Sequence, residues 1–155
     1  MKILGIGNAI VDVICKVDDS FIMQNNLTKS TMKLFFDESE FKNLLTNLKI
    51  EKTVSGGSVA NSIVGLSQLG NKVGFIGKVS DDEFGSKYEE GLKKENVEYF
   101  YSKKKEELPT GTCLILVTPD SERTMCTFLG TAGKINSKDI DSNAAYDAIA
   151  RQRGL

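Results

Sequence analysis

The stretch Ser55-Gly56-Gly57-Ser58-Val59-Ala60-Asn61 decides how the rest of the chain is interpreted. It follows a β-like run at 52–54 and opens directly onto a helical pattern. Gly57 permits backbone angles that are closed to other residues and lets a ligand approach the main chain. Ser58 is predicted to cap the helix, and Asn61 adds donors and an acceptor one turn further on. The stretch therefore predicts either a plain capped turn or a binding site for a polyhydroxylated ligand.

Composition restricts the class of protein. A chain of 155 residues with 40% hydrophobic residues can bury one core, so we expect a single globular unit. A net charge of −1 argues against electrostatic binding to nucleic acid or a membrane surface. No apolar run is long enough to cross a bilayer, and the glycine-broken N-terminus does not resemble a signal peptide.

The reactive residue types limit the chemistry. The three cysteines are far apart, odd in number and without metal-ligand spacing, which favours a reducing cytoplasm and predicts no metal site. The sequence contains no histidine, so zinc sites built on histidine and Ser-His-Asp triads are excluded. Any chemistry must therefore depend on carboxylates, amides, hydroxyls, lysine or arginine.

Along the chain, patterns typical of strands and helices alternate. Capping boxes are predicted at Asp37–Glu40 and Ser80–Glu83, and Gly70 is a natural helix end. Segment 18–30 is polar and irregular, and the charged run 103–107 is predicted to be a solvated loop. Strands are predicted at 2–7, 9–17, 31–36, 52–54, 72–79, 97–101, 112–117 and 123–129, and helices at 37–48, 59–69, 80–94 and 139–153.

This order predicts an α/β fold with a mostly parallel sheet flanked by helices. The stretches 13–17, 31–36 and 112–129 do not fit the alternation and are predicted to form a small projecting β lid, with pieces at about 13–36 and 110–129. Ligands of open α/β sheets bind at the carboxyl ends of the strands. Asp12, Gly57 and Asn61 are expected to meet there, beneath the lid.

Asp12 interrupts an otherwise apolar run between Val11 and Val13. A carboxylate that is buried without a partner is costly, so its position needs an explanation. One interpretation is an edge-strand residue that points at water. The other is a carboxylate at the mouth of the sheet that accepts hydrogen bonds from a ligand.

Two nucleotide-binding motifs fail. Gly5 and Gly7 begin a dinucleotide fingerprint, but Ile10 occupies the position of the third glycine and no good helix follows. The chain also contains no Gly-x-x-x-x-Gly-Lys-Ser/Thr, so it is not a P-loop protein.

Four motifs in order give a specific resemblance. They are Gly7-Asn8-Ala9-Ile10-Val11-Asp12, the glycine stretch quoted above, Gly77-Lys78-Val79-Ser80-Asp81-Asp82-Glu83-Phe84-Gly85, and Thr110-Gly111-Thr112. Together they resemble the N-terminal half of the ribokinase (PfkB) carbohydrate kinase family over about residues 2–140. Within the family, the run from Gly7-Asn8 to Asp12 and the stretch 117–123 before Phe128-Leu129-Gly130 resemble bacterial members of adenosine kinase type most of all.

The resemblance implies roles for particular residues. Asp12, Gly57 and Asn61 would hold the hydroxyls of a ribose or other sugar. Ile10 and Leu34 match positions where adenosine kinases set apolar residues against the purine, although both are equally well explained as core. Arg123 matches a position near the incoming phosphate, where a fixed positive charge would stabilise negative charge; its plain alternative is a surface charge on the hairpin.

The same resemblance implies parts that this sequence lacks. Family members use ATP and Mg²⁺, and their C-terminal half carries the nucleotide site and a Gly-Ala-Gly-Asp motif whose last Asp is the general base. No such motif occurs here, so no catalytic base is expected in the 155 residues. The tail 141–155 does not continue the family pattern.

The sequence therefore predicts the substrate-binding part of an ATP-dependent sugar or nucleoside kinase, with an adenosine kinase-like substrate favoured and no activity for this chain alone. A ribokinase- or fructokinase-type sugar kinase is the first alternative. A non-catalytic binding module that self-associates through the lid or exposed sheet edges is the second. Only a small sugar or nucleoside, or a second copy of the chain, is expected as a partner.

Overall fold

A computed structural model of the chain describes residues 2–140, 142, 143 and 145. Its strands are β1 (Lys2–Ile6), β2 (Ile10–Lys16), β3 (Met32–Phe35), β4 (Ile50–Gly56), β5 (Lys72–Ile76), β6 (Glu98–Tyr99), β7 (Gly111–Val117) and β8 (Arg123–Phe128). Its helices are α1 (Asp19–Gln24), α2 (Glu38–Thr46), α3 (Ser58–Gln68) and α4 (Glu83–Lys94), with 3₁₀ turns at Gly130–Lys134 and Ser137–Asp139. In the described part of the chain, no helix has the length and apolar character that a membrane span needs.

The strands form two sheets. One sheet is parallel throughout, in the order β1-β5-β6, and the other is mixed, in the order β3-β8-β7-β2-β4. The three stretches that the sequence set apart from the parallel sheet all contribute to the mixed one, which confirms the predicted fold class. β4 also joins the mixed sheet, antiparallel to β2, which the sequence did not indicate.

The five-stranded sheet has one buried face and one more open face. Side chains alternate between the faces of a strand, and directly opposite residues on paired strands share a face. The inner face is buried and contacts the helices; Phe41 of α2 packs on Phe35 and Phe128 with ring centroids 5.7 and 5.6 Å apart. The outer face includes Ile10, Asp12, Ile14, Lys16, Met32, Leu34, Lys52, Val54, Gly56, Gly111, Cys113, Ile115, Val117, Arg123, Met125 and Thr127.

α3 and α4 connect the two sheets. α3 packs on β1, where a side chain at Gly5 would collide with Val59 and Ile63. α4 packs on β4 and buries Tyr88 and Leu92 completely. Gly70, with a φ of 82°, ends α3 as predicted.

Several local predictions were wrong. The cap of α3 is Gly57 and not Ser58, and the cap of α4 is Asp82 and not Ser80. The segment 18–30 contains the short helix α1, whose buried residue is Ile22.

The charged run 103–107 is not uniformly solvated. The Glu106 side chain is only 14% exposed, lies 3.3 Å from the Lys78 Nζ and accepts a 2.7 Å hydrogen bond from the Tyr101 hydroxyl. Lys78 also lies 3.2 Å from Asp139, so this lysine has the structural role that its strand-end position suggested. Most of the predicted helix at 139–153, including Tyr146 and Ile149, falls outside the described residues.

Candidate functional site

A single row of side chains crosses the outer face. Asp12 on β2 lies opposite Val54 on β4 and opposite Cys113 on β7. Cys113 in turn pairs with Thr127 on β8, and Thr127 pairs with Leu34 on β3. Three strand spacings separate Asp12 from Leu34, which is roughly 14 Å. The row is therefore polar at Asp12 and apolar at its Leu34 end.

Asp12 is a half-buried carboxylate on a central strand. β2 lies between β4 and β7, so the interpretation of Asp12 as an edge-strand residue is wrong. No donor in the described part of the chain is recorded as bonding to its carboxylate. Burial raises the pKa of Asp12 above its ordinary value, because the charged form loses water without gaining a partner. This carboxylate has free acceptor capacity for an incoming ligand.

The glycine turn lies against Asp12. A side chain at Gly56 would overlap the Asp12 carboxylate, so only glycine leaves room for that carboxylate. Gly57 has a φ of 97°, and a Cβ there would lie 2.5 Å from the Asn8 carbonyl oxygen. From the helix side, the buried Tyr88 hydroxyl donates to the Gly56 carbonyl oxygen at 3.2 Å. The turn is therefore held between Asn8 and Tyr88, with Gly56 buried against the carboxylate.

Asn61 occupies a neighbouring position. Its side chain is exposed and lines an open groove between β4, α3 and α4, together with Val54, Lys87 and Glu90. Asp12 does not line this groove, although Val54 belongs both to the groove and to the row that contains Asp12. The structure thus places the Asp12 carboxylate against Gly56, and the Asn61 N–H donates to the Gly57 carbonyl oxygen at 2.9 Å, although the groove that Asn61 lines does not include Asp12.

The two apolar candidates are connected through Leu129. Ile10 is buried beside Cys113 and Ala132, and Leu129 packs against this cluster. Leu129 also lines a hollow that contains Leu34. Ile10 and Leu34 therefore border one continuous apolar surface next to the Asp12 row.

Arg123 shares the outer face with Asp12 but lies far from it. It pairs with Val117, and Val117 pairs with Lys16, at the opposite end of the sheet from the glycine turn. Four residues of β8 separate Arg123 from Thr127, which is roughly 14 Å along the strand. Its side chain is exposed, so its role near a phosphate stays a prediction.

Sequence reasoning missed Cys113 and Thr127. The Thr127 hydroxyl donates to the Cys113 sulfur at 3.3 Å, and burial raises the pKa of the Cys113 thiol. Strand alternation puts Asp12 and Cys113 on one face of their own strands, but only the pairing register brings them side by side. Register between strands a hundred residues apart has no local signal in the sequence.

The described residues contain no group of three acidic, histidine or cysteine side chains that could hold a metal ion. All three cysteines are buried and unpaired. Within the row of Asp12, the polar groups are therefore one carboxylate, a hydroxyl and a thiol, with the backbone of the glycine turn beside them.

Comparison with known proteins identifies the family of this arrangement. Residues 4–151 match the family model described as pfkB family carbohydrate kinase. A 5-dehydro-2-deoxygluconokinase from Mesomycoplasma hyopneumoniae (strain 232) is 31% identical over 128 residues, which cover 81% of this chain and 36% of that protein.

Solved structures agree on the fold. The adenosine kinase from Sinorhizobium meliloti matches with a TM-score of 0.81 and 32% identity, over 92% of this chain and 43% of that one. A probable sugar kinase from Rhizobium etli CFN 42 matches with a TM-score of 0.82 and 32% identity, over 94% of this chain and 44% of that one. The chain thus spans less than half the length of the relatives it matches.

Proposed function

Because the chain belongs to the pfkB family of carbohydrate kinases, we propose that it forms the substrate-binding part of an enzyme that phosphorylates a hydroxyl of a sugar or nucleoside. The observation that carries this proposal is the Asp12 carboxylate, half-buried, without a recorded hydrogen-bond donor and in contact with the Gly56 turn. A carboxylate in this position accepts hydrogen bonds from two neighbouring sugar hydroxyls. Gly57 lets the sugar approach the backbone, and Asn61 binds a further hydroxyl.

The shape of the row favours a nucleoside. The hydroxyls of the sugar bind at Asp12, and the base lies over the apolar surface bordered by Ile10 and Leu34. The span of roughly 14 Å between Asp12 and Leu34 is long enough for a ribose and a purine placed end to end. Cys113 and Thr127 lie between the two ends and contact the middle of the ligand.

Phosphoryl transfer needs groups beyond those described. The Mg²⁺ of a nucleotide complex is bound mainly by the phosphates, by water and by one or two carboxylates, and the proposal contains no step through it. Arg123 is a cation on the outer face that would stabilise phosphate charge. The chemistry proposed for this chain is therefore recognition and orientation of the acceptor hydroxyl.

A thermal-shift panel of adenosine, ribose, fructose and 5-dehydro-2-deoxygluconate tests the proposal. A ligand that binds the native state raises the unfolding temperature. We expect adenosine to stabilise the wild type and to leave the Asp12→Asn variant unchanged, while Asp18→Asn, a change at an exposed position, behaves as wild type. Equal shifts for wild type and Asp12→Asn, or no shift with any member of the panel, would overturn it.

A sugar acid is the second candidate substrate, favoured by the name of the M. hyopneumoniae relative. Lys52, on the outer face next to the row of Asp12, would pair with its carboxylate. Leu34→Asn distinguishes the two candidates. It weakens adenosine binding if a base covers Leu34 and leaves 5-dehydro-2-deoxygluconate binding unchanged.

Self-association is a separate proposal for the same face. Met32 and Phe36 are 66% and 87% exposed, and Leu34 and Met125 add partly exposed apolar surface. Such a patch is typical of an interaction surface. Sedimentation velocity tests it: concentration-dependent dimers that Met32→Lys removes support the proposal, and a monomer at every concentration contradicts it.

A further inference from the structure

The carboxylate of Asp82 does more than cap α4. Its Oδ1 accepts from the Gly85 N–H at 2.7 Å, which is the capping bond, and also from the Thr110 hydroxyl at 2.7 Å. Its Oδ2 accepts from the Thr110 backbone N–H at 2.8 Å. The Thr110 hydroxyl accepts in turn from the Ser80 N–H at 3.0 Å. One carboxylate thus joins the start of α4 to the residue that precedes β7.

Thr110 is next to the outer face. Gly111, the first residue of β7, pairs with Ile10 of β2, and two residues later Cys113 pairs with Asp12. The approach at Gly111 is tight, because a side chain there would lie 2.8 Å from the Ile10 Cδ1. The start of β7 therefore sets the register between β7 and β2. That register places Cys113 beside Asp12.

The other carboxylate cap of a long helix differs in this respect. Asp37 caps α2 by accepting one hydrogen bond, from the Glu40 N–H at 2.7 Å. Capping a helix needs one acceptor. The Asp82 carboxylate accepts two further hydrogen bonds from Thr110, which capping does not require. Hydrogen bonds to a charged group are stronger than those between neutral groups. The carboxylate of Asp82 therefore holds Thr110 strongly.

We propose that Asp82 is a positioning residue for substrate binding: through Thr110 it fixes the start of β7 and thereby holds Cys113 and Thr127 in line with Asp12. The proposal rests on the proposed function insofar as the outer face binds the substrate. Asp82 itself touches neither the row nor the ligand, and its effect on binding is indirect.

The test compares matched variants. Asp82→Asn keeps an acceptor for the cap but loses an acceptor for Thr110, whereas Asp37→Asn keeps the single acceptor of its cap. We expect Asp82→Asn to weaken adenosine binding by about fivefold or more, the usual lower limit of coupling between distinct sites, with no change for Asp18→Asn at its exposed position. Thr110→Val should weaken binding in the same direction, and Thr110→Ser should restore it because the hydroxyl is kept.

A second measurement needs no ligand. Cys113 is 6% exposed on the outer face, whereas Cys15 and Cys126 are fully buried, so maleimide labelling followed by mass spectrometry reports on each. We expect Asp82→Asn and Thr110→Val to speed the labelling of Cys113 several-fold and to leave Cys126 unchanged. General unfolding would instead speed the labelling of all three cysteines.

The outcomes separate the two proposals. If no panel ligand binds wild type while Cys113 labelling rises only in the Asp82 and Thr110 variants, the proposed function fails and the positioning role stands. If Asp82→Asn and Asp37→Asn speed the labelling of Cys113 equally, Asp82 is only a cap and the positioning role is wrong.

Discussion

Asp12 is a residue whose ionisation should oppose folding. Burial raises its pKa above 3.8 in the folded state, so the folded chain binds this proton more tightly than the unfolded chain. That contribution to stability is fully present below the unfolded pKa and is lost as pH rises through the folded pKa. At neutral pH the ionised carboxylate therefore destabilises the fold.

Asp12→Asn should consequently raise the urea midpoint of unfolding at pH 7, and the gain should shrink as the pH falls toward 3.8. Asp18→Asn, at an exposed position, is the control and should show no such pattern. A variant that is less stable than wild type at pH 7 would contradict the idea that Asp12 is retained for binding at the expense of stability.

The backbone conformation at position 57 requires glycine. Its φ of 97° and the 2.5 Å approach of Asn8 leave no space for a methyl group, so Gly57→Ala should lower the free energy of unfolding by about 1–3 kcal/mol. Gly65 lies in α3 with no atom near its missing side chain, and Gly65→Ala should raise stability by about 0.5–1 kcal/mol. Urea titrations of both variants test the contrast, and equal effects would refute it.

At the scale of elements, one lysine connects α1 to the β7–β8 hairpin. The Lys29 Nζ lies 2.6 Å from Asp19 and 2.6 Å from Asp120 in the hairpin turn. The hydrogen bond from Lys29 lowers the pKa of Asp120 to about 2, with a further contribution from the Thr118 hydroxyl. Its contribution to stability is thus present above the unfolded value of 3.8 and is lost as pH falls toward 2.

Asp120→Asn should therefore destabilise the chain slightly at pH 7 and have no effect near pH 2. The effect should be small because the pair is exposed to solvent. Denaturant midpoints measured across this pH range check it. An effect that persists at pH 2 would assign the role of Asp120 to turn geometry and not to its charge.

The sequence predicted most helices and strands but did not predict which distant residues contact one another. The helix predicted at 37–48 and the strands predicted at 112–117 and 123–129 depend on local patterns, and these elements form close to the predicted bounds. The site of capping was wrong twice, because Gly57 and Asp82 gain their positions from Asn8 and Thr110, which are distant in sequence. Asp12 was a candidate because it interrupts an apolar run, which is a local signal. Cys113 was not a candidate because only strand pairing brings it beside Asp12.

At the scale of the whole molecule, we predict that the purified 155-residue chain does not transfer phosphate from ATP to adenosine. It covers 43% of the length of the S. meliloti adenosine kinase, and its sequence contains no Gly-Ala-Gly-Asp motif. A radiolabelled-phosphate transfer assay, with a full-length adenosine kinase as the positive control, measures this. Labelled AMP above background would show that the chain holds a catalytic base that this interpretation lacks.

The order of the mixed sheet also decides how the chain must fold as it is synthesised. β3 pairs with β8, and the Ser30 N–H donates to a Thr124 hydroxyl that lies 94 residues later. At ribosomal rates of 5–20 residues per second, that delay is roughly 5–20 s, during which β3 with Met32, and Phe36 directly after it, have no strand partner. The nascent chain is therefore a candidate client for chaperones that bind apolar segments on the ribosome.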